Sequence, residues 1–276
     1  MRNGDRRSTI AFVTHGGSPD IAADDRHAVA AITGRTGLRV EGRPWDAPED
    51  RWAEYAAVVI RSTWNYHHRP QAFLDWAEGI ERAGANLWNP AAVVRWNADK
   101  RYLGELARAG VPVVPTAWLL RGEEADLAAV LEARGWDRVV VKPSVSATAY
   151  RTWVTDPARV RSDPSHVDRL REILRDTDAM VQPYVPEVVS EGEWSFIFLA
   201  DGAGGPALSH AVLKRPAAGD FRVQDEHGGS ASLAIPPVRL KERVTGIASS
   251  LWCLLPAQPL YARVDGVAVR PETHPG

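Results

Sequence analysis

Cysteine is nearly absent from this 276-residue sequence, in which Cys253 is the only example. One cysteine can form neither an internal disulfide nor a paired-cysteine zinc site. Cys253 lies in the apolar stretch Ser249–Leu255, so the sequence predicts a buried thiol in a reducing compartment.

Long apolar runs and a net positive charge are also lacking. No stretch reaches the about 18 apolar residues of a membrane span, and Ile10–Val13 is too short for a signal-peptide core. A cytoplasmic protein without a membrane partner is therefore expected. The 33 Lys and Arg against 35 Asp and Glu provide no overall positive field, so any phosphate binding must be local.

Nucleic acid is not an expected partner. The 11 tryptophans could stack on bases, but stacking platforms come with a basic groove, and the net charge here is -2. The tryptophans are better explained as core or domain-interface residues. The sequence does not fix the oligomeric state, and a homodimer is compatible with it.

The commonest signatures of nucleotide and metal sites are missing as well. The sequence contains no G-x-x-x-x-G-K-[ST] loop, no G-x-G-x-x-G, no H-E-x-x-H and no G-x-S-x-G. Function has to be inferred from less regular patterns.

The first 90 or so residues alternate strand and helix patterns, which predicts a small parallel α/β domain. A helix is expected to begin at Ser18 as N-cap with Pro19 at its first position, and to end at Gly34 or Gly37. The other elements predicted here are strands at 9–13, 38–40 and 57–61 and a helix at 71–83.

Asn89-Pro90 interrupts the pattern, and a domain boundary is predicted close to Asn89. The next helix is expected to be capped near Asn97 or Asp99 and to run to Gly110. An α+β arrangement follows, with strands predicted at 116–120, 139–142, 152–154, 180–184, 193–199, 207–214 and 260–264, and helices at 123–134, 165–175 and 238–255.

Lys142 is the most suggestive single residue, because it ends the apolar run Val139–Val141 and is followed by the small and hydroxyl-bearing residues PSVSATAYRT. A buried ammonium needs a charged partner, and a phosphate is one. An ordinary strand-end lysine is the competing explanation.

Two further patterns are weaker. Lys100 begins a helix, where a solvated surface lysine is the simpler interpretation. Arg263 and Asp265 are two residues apart on a predicted strand and therefore share a face, where they could hold phosphate and Mg²⁺ or form a plain salt bridge.

Taken in order, these patterns resemble the ATP-grasp superfamily, in its RimK-like and glutathione-synthetase-like branch. The resemblance rests on NADK (97–100), VVVKPSVSATAYRT (139–152), VQPYVPEVVSEGEWSF (181–196), LKRPAAGDFRVQDEHGGS (213–230) and YARVD (261–265). Within that branch, RSTWNYHHRPQAFLDWAE (61–78), LWNP (87–90) and RWNADKRYL (95–103) are similar to the group of the cycloserine-forming ATP-grasp ligase.

The resemblance implies an ATP-grasp fold, α/β and α+β, preceded by a parallel α/β domain. It implies three regions: an N-terminal substrate-side domain at 1–89, a first ATP-grasp lobe at 90–185 and a second lobe at 186–276. Its cofactors would be ATP and Mg²⁺, and its partner a small-molecule carboxylate, of natural-product type in the cycloserine group.

The resemblance also assigns roles to residues of this sequence. Lys100 and Lys142 would contact phosphates beneath a lid containing Ser144, Ser146 and Thr148. Gln182, Tyr184 and Val185 match the adenine-binding hinge. Glu193 would lie near the ribose or substrate edge, with Glu187 and Glu191 as alternatives. Lys214, Arg222 and Arg263 would act on the transferred phosphoryl group, and Asp265 would bind the metal.

The implied reaction joins a carboxylate to an amine or another nucleophile through an acyl phosphate. In the family a later strand adds a Glu-x-Asn or Glu-x-Glu pair to the metal site, whereas here only Glu272, between Pro271 and Thr273, follows Asp265. The alternatives are therefore a non-catalytic nucleotide-binding relative, or a truncated or frameshifted ligase with little activity.

Overall fold

The computed structural model describes residues 6–48 and 51–269. By their internal contacts the described residues divide into two compact units. Unit 1 comprises the residues up to Ala98 together with Leu254–Tyr261, and unit 2 comprises Asp99–Cys253 and the residues from Ala262 onward. The predicted division of the second half into two lobes at residue 185 remains a prediction.

Unit 1 is built on a parallel sheet of order β2-β1-β3-β4. Its elements are β1 (Thr9–Thr14), α1 (Arg26–Thr36), β2 (Arg39–Pro44), β3 (Ala57–Ile60), α2 (Pro70–Arg82), β4 (Leu87–Trp88) and α3 (Ala91–Ala98). The core joins the buried strand residues Ala11, Val13 and Val58 to Phe73 and Ala77 of α2. The parallel α/β prediction is confirmed.

The predicted helix at Ser18 and Pro19 is wrong, because α1 begins only at Arg26. Residues 16–22 instead pass close to β2: a Cβ at Gly42 would lie 2.5 Å from the Pro19 carbonyl oxygen. The Thr14 hydroxyl also donates to that oxygen at 3.0 Å. These tertiary contacts override the local helix-start signal. The helix does end at Gly37, whose φ is 72°.

Unit 2 contains two further four-stranded sheets. The first has the order β5-β8-β6-β7 and the second the order β11-β10-β9-β12. The elements are α4 (Tyr102–Arg108), β5 (Ala117–Leu119), α5 (Leu127–Arg134), β6 (Val139–Pro143), β7 (Trp153–Thr155), α6 (Pro157–Ser162), α7 (Ser165–Asp176), β8 (Ala179–Pro183), α8 (Glu187–Ser190), β9 (Glu193–Ala200), β10 (Pro206–Arg215), β11 (Ser230–Leu233), α9 (Val238–Leu254) and β12 (Tyr261–Gly266).

Each sheet of unit 2 carries its own core. Val139 and Val141 of β6 pack with Leu131 of α5 and Ile173 of α7, all of them inaccessible to solvent. On the second sheet, Phe196 and Phe198 of β9 pack against Val244 and Ala248 of α9. The alternation of buried residues along β6 leaves Lys142 on the opposite face.

Two sequence-based predictions need correction in this unit. The single helix expected from Asn97 or Asp99 to Gly110 is two helices, α3 and α4, separated at Lys100, whose N–H donates to the Ser144 carbonyl at 3.0 Å. Cys253 is exposed rather than buried. It lies about half a helical turn around α9 from the buried Val244.

None of the described helices combines the length and apolar character that a membrane crossing requires.

Candidate nucleotide-binding site

Lys142 and Lys100 form the cationic end of the candidate site in unit 2. Lys142 lies on β6, paired with Met180 of the neighbouring β8. Burial lowers its pKa, and the opposing influence is the carboxylate of Glu193. Among the described residues no hydrogen bond to the partly buried Lys142 ammonium is found, so the Glu193 carboxylate acts on it through charge alone.

Lys100 is held beside the loop that follows β6. Its Nζ donates to the Ser146 carbonyl at 2.7 Å and the Ser146 hydroxyl at 3.0 Å, with the Ser144 carbonyl at 3.4 Å. Burial, and next the positive charge of Lys142, lower the pKa of Lys100 to about 8, while Asp99 acts in the opposite direction. Two lysines that repel each other in a buried setting are suited to an anion.

The loop after β6 is fixed at its start. Ser144 is fully buried, its N–H donates to the Asp178 carbonyl at 2.8 Å, and its hydroxyl lies 2.9 Å from that of Thr177. Further along, Thr148, Ala149 and Arg151 have positive φ values of 49°, 56° and 49°. The glycine-free loop thus adopts left-handed backbone conformations that glycine usually provides.

Carboxylates and cations alternate at the other end of the site. Glu193, the first residue of β9, accepts from Lys214 Nζ at 3.2 Å. Burial raises the pKa of Glu193, and Asp265 adds to this effect, whereas Lys214 and Arg263 oppose it. Of the alternatives to Glu193, Glu187 is buried on α8 and Glu191 is exposed.

Asp265 on β12 has two neighbours that orient it. Arg263 donates to Asp265 Oδ2 from Nε at 3.0 Å and from Nη2 at 2.8 Å, as expected for residues two apart on a strand. The hydroxyl of Ser195 donates to Asp265 Oδ1 at 2.6 Å. Ser195 is not among the site residues predicted from the sequence, although it lies two residues after Glu193 on the same predicted strand and therefore on the same face.

The hinge candidates Gln182, Tyr184 and Val185 lie at and beyond the end of β8. The Gln182 amide donates to the Thr116 hydroxyl at 2.8 Å, and Tyr184 N–H donates to the Arg138 carbonyl at 2.9 Å. The Arg138 guanidinium lies 4.0 Å from the Tyr184 ring centroid. Tyr184 N–H is therefore already used by the protein.

Among the described residues, no contact of Arg222 with Glu193, Lys214, Arg263 or Asp265 is found. It forms an ion pair with Asp220 at 2.7 Å, and this guanidinium holds the pKa of Asp220 well below its usual range. The loop around it turns at Gly229, where a Cβ would come within 2.3 Å of the Val223 carbonyl oxygen.

The fit to a metal ion is partial. No group of three or more His, Cys, Asp or Glu suited to a metal occurs among residues 6–48 and 51–269, and Glu272 lies outside those residues. Glu193 and Asp265 are nevertheless close enough to interact. Two carboxylates suffice when phosphate oxygens complete the shell, because Mg²⁺ is often held by one or two carboxylates plus substrate phosphates.

Unit 1 has its own polar cluster at the carboxyl ends of its strands. Asp46, after β2, accepts from Gly16 N–H at 2.7 Å, Asn65 Nδ2 at 2.8 Å and Arg69 Nη2 at 3.0 Å. Those hydrogen bonds lower the pKa of Asp46 despite its burial. The strand order reverses between β1 and β3, and open parallel sheets bind ligands at such a point.

The sequence of this chain is similar to those of known proteins. Residues 10–89 match the family described as the D-cycloserine synthetase DcsG N-terminal domain. The cycloserine biosynthesis protein DcsG of Streptomyces lavendulae is 36% identical over 187 residues, which are 64% of this chain and 58% of that protein. The chain thus spans less than two thirds of this relative's length.

Solved structures extend the similarity to nearly the whole chain. The D-cycloserine synthetase DcsG structure has a TM-score of 0.77 at 26% identity, covering 93% of this chain and 86% of the other. The D-alanine–D-alanine ligase of Bacillus anthracis complexed with ATP gives 0.62 at 16% identity, with 95% and 82% covered. The ATP-grasp ligase PsnB with minimal precursor, Mg and ADP gives 0.54 at 14%, with 95% and 85% covered.

The parallel first sheet, the two four-stranded sheets of unit 2 and these matches define a mixed α/β fold of the ATP-grasp type. The chain is a relative of D-cycloserine synthetase DcsG.

Proposed function

We propose that this protein binds ATP and Mg²⁺ and uses them to join a small-molecule carboxylate to an amine or a related nucleophile through an acyl phosphate. The observation that carries the proposal is the pair of partly buried lysines, Lys100 and Lys142, beside the loop that follows β6, where Lys100 Nζ donates to Ser146 and burial lowers the pKa of both lysines. A bound triphosphate would supply the negative charge that favours the ammonium form of both lysines.

In this proposal Lys100 and Lys142 bind the phosphates, and Ser144, Ser146 and Thr148 belong to the lid above them. Gln182, Tyr184 and Val185 form the adenine hinge. Because Tyr184 N–H already donates to the Arg138 carbonyl, backbone groups of this segment other than that one would contact the base. Glu193 binds the ribose or the substrate edge and contributes negative charge beside Asp265.

Asp265 would hold Mg²⁺, which would neutralise negative charge on the phosphates. Arg263 both orients Asp265 and faces the same ligand, since the two side chains share one side of β12. Lys214 and Arg222 would stabilise charge on the transferred phosphoryl group. For Arg222 this requires leaving Asp220, its partner in the structure.

The chemistry is an in-line displacement followed by acyl transfer. A substrate carboxylate oxygen bonds to the γ-phosphorus as the bond to the β–γ bridging oxygen breaks, releasing ADP. The nucleophile then attacks the acyl carbon, phosphate leaves, and the nucleophile loses a proton. Positioning and charge neutralisation are what the side chains supply.

The relatives support the proposal. DcsG is named for cycloserine biosynthesis, and the D-alanine–D-alanine ligase and PsnB structures contain ATP or Mg and ADP. A natural-product carboxylate is accordingly the proposed substrate class.

The test is direct measurement of ATP binding, with and without Mg²⁺, by calorimetry on the full chain. Lys142→Ala should lose most of the affinity, whereas Lys241→Ala, an exposed lysine on α9, should keep it. Turnover is followed as ADP release and by trapping the acyl phosphate with hydroxylamine. An absence of ATP binding by the wild type would refute the proposal.

A non-catalytic nucleotide-binding role is the second candidate, and the observation favouring it is that the described residues contain no group of three metal-ligating side chains. ATP binding without ADP release in the presence of any tested carboxylate would support that role.

A further inference from the structure

Asp178 connects several segments around the lysine pair without belonging to the candidate site. It lies between α7 and β8 and is 8% exposed. Its Oδ2 accepts from the guanidinium of Arg101, and its Oδ1 accepts from Arg121 N–H at 2.7 Å. Its carbonyl oxygen accepts from Ser144 N–H at 2.8 Å.

Two of these contacts, those with Arg101 and Ser144, lead to Lys100. Arg101 is the next residue in the chain, so its ion pair with Asp178 restrains the backbone beside Lys100. Ser144 receives the Lys100 N–H at 3.0 Å on its carbonyl oxygen. Two groups that Asp178 binds therefore restrain Lys100. One is its neighbour in the chain, Arg101, and the other is Ser144 in the loop after β6.

We infer that Asp178 is a positioning residue of the phosphate site, which holds Lys100 and the start of the Ser144–Thr148 loop in one arrangement. Asp178 can do this because both of its carboxylate oxygens and its carbonyl oxygen accept hydrogen bonds. A buried charge also interacts strongly with its partner. Asn in its place would still accept from Arg121 N–H but would present an amide to the Arg101 guanidinium.

The inference rests on the proposed function for its effect on ATP, but the placement of Lys100 can be measured without ATP. In Asp178→Asn the Lys100 side chain is expected to reach solvent more often. Its pKa, read from the Nζ resonance by NMR, should then rise from about 8 towards the ordinary 10.5. The KM for ATP should rise roughly tenfold with kcat little changed, as for loss of a charged hydrogen bond.

Two companion variants separate positioning from general stability. Arg101→Gln removes the partner whose side chain is 54% exposed, so it threatens folding less, and it should shift Lys100 in the same direction. The double variant Asp178→Asn/Arg101→Gln should be no worse than Asp178→Asn alone. Asp168→Asn, in an exposed ion pair with Arg171 on α7, is the matched control and should change neither readout.

A lowered melting temperature with an unchanged Lys100 pKa and an unchanged KM would overturn the inference, since Asp178 would then be merely structural. If the wild type binds no ATP, the proposed function fails while the Lys100 pKa still decides the role of Asp178. Should Asp178→Asn fail to fold, Arg101→Gln decides by the same measurement.

Discussion

ATP affinity should depend on pH through Lys100. Burial and the neighbouring charge of Lys142 lower the pKa of Lys100 to about 8, so the free protein loses this positive charge over a range in which most lysines keep theirs. A bound triphosphate favours the charged form and raises the pKa again. Above pH 8, binding must therefore include uptake of a proton, and affinity falls as pH rises.

The size of the effect follows from the protonated fraction. For a pKa of about 8, that fraction decreases about eightfold from pH 7.5 to pH 9, and the dissociation constant should increase by the same factor. Calorimetry at these pH values in buffers of different ionisation enthalpy measures both the affinity and the proton uptake. ATP itself is fully deprotonated throughout this range, since phosphate second pKa values are about 6.

Lys100→Arg is the decisive comparison, because a guanidinium stays charged at every pH tested. This variant should bind ATP without the change in affinity centred near pH 8. A wild-type dissociation constant that is constant from pH 7.5 to pH 9 would refute the reasoning.

The lowered pKa of Lys100 also affects the stability of the fold. Between about pH 8 and 10.5 the unfolded state binds more protons at Lys100 than the folded state does. The contribution of Lys100 to the free energy of unfolding therefore rises with pH, by on the order of 3 kcal/mol over the whole range.

Two further predictions concern the metal end and the core. Ser195→Ala removes the hydrogen bond to Asp265 Oδ1 and should weaken Mg²⁺-dependent ATP binding by about 1 kcal/mol while leaving Mg²⁺-free binding unchanged, as measured by parallel titrations. An equal loss in both titrations would contradict a role through Asp265. Leu131→Ala should lower the free energy of unfolding in urea by about 2–5 kcal/mol because Leu131 is fully buried, whereas Leu199→Ala, 46% exposed, should cost under about 1 kcal/mol.

Most of the longer strands and helices could be predicted from the sequence because they depend on local apolar spacing, whereas the short elements β4, α6, α8 and β11 were not predicted. The alternation in β6 and the spacing of 240, 244, 247 and 251 in α9 are such signals. The two helix predictions that were wrong depended on contacts between residues distant in the sequence. The helix expected at Ser18 is prevented by packing against Gly42, and the helix expected through Lys100 is interrupted by the hydrogen bond to Ser144.

For the candidate site, the sequence supplied residue types but not their partners. The link between Arg263 and Asp265 followed from a period of two, which is a local property. The contact of Lys100 with Ser146 spans 46 positions and that of Ser195 with Asp265 spans 70, so neither could be read from spacing. For Arg222 the motif predicted a role at the phosphoryl group, whereas in the structure its guanidinium forms an ion pair with the nearby Asp220.

The charges of the cluster indicate what kind of occupant would stabilise it. Burial disfavours the charges of Lys100 and Lys142, which Asp99 and Glu193 offset only in part, whereas Glu193 and Asp265 repel each other despite Lys214 and Arg263. ATP alone would satisfy the lysines but would place further negative charge near the carboxylates. A divalent cation alone would do the opposite. An occupant that carries both, a metal-bound triphosphate, relieves the two ends together, so ATP and Mg²⁺ should each increase the affinity for the other, and by the same factor.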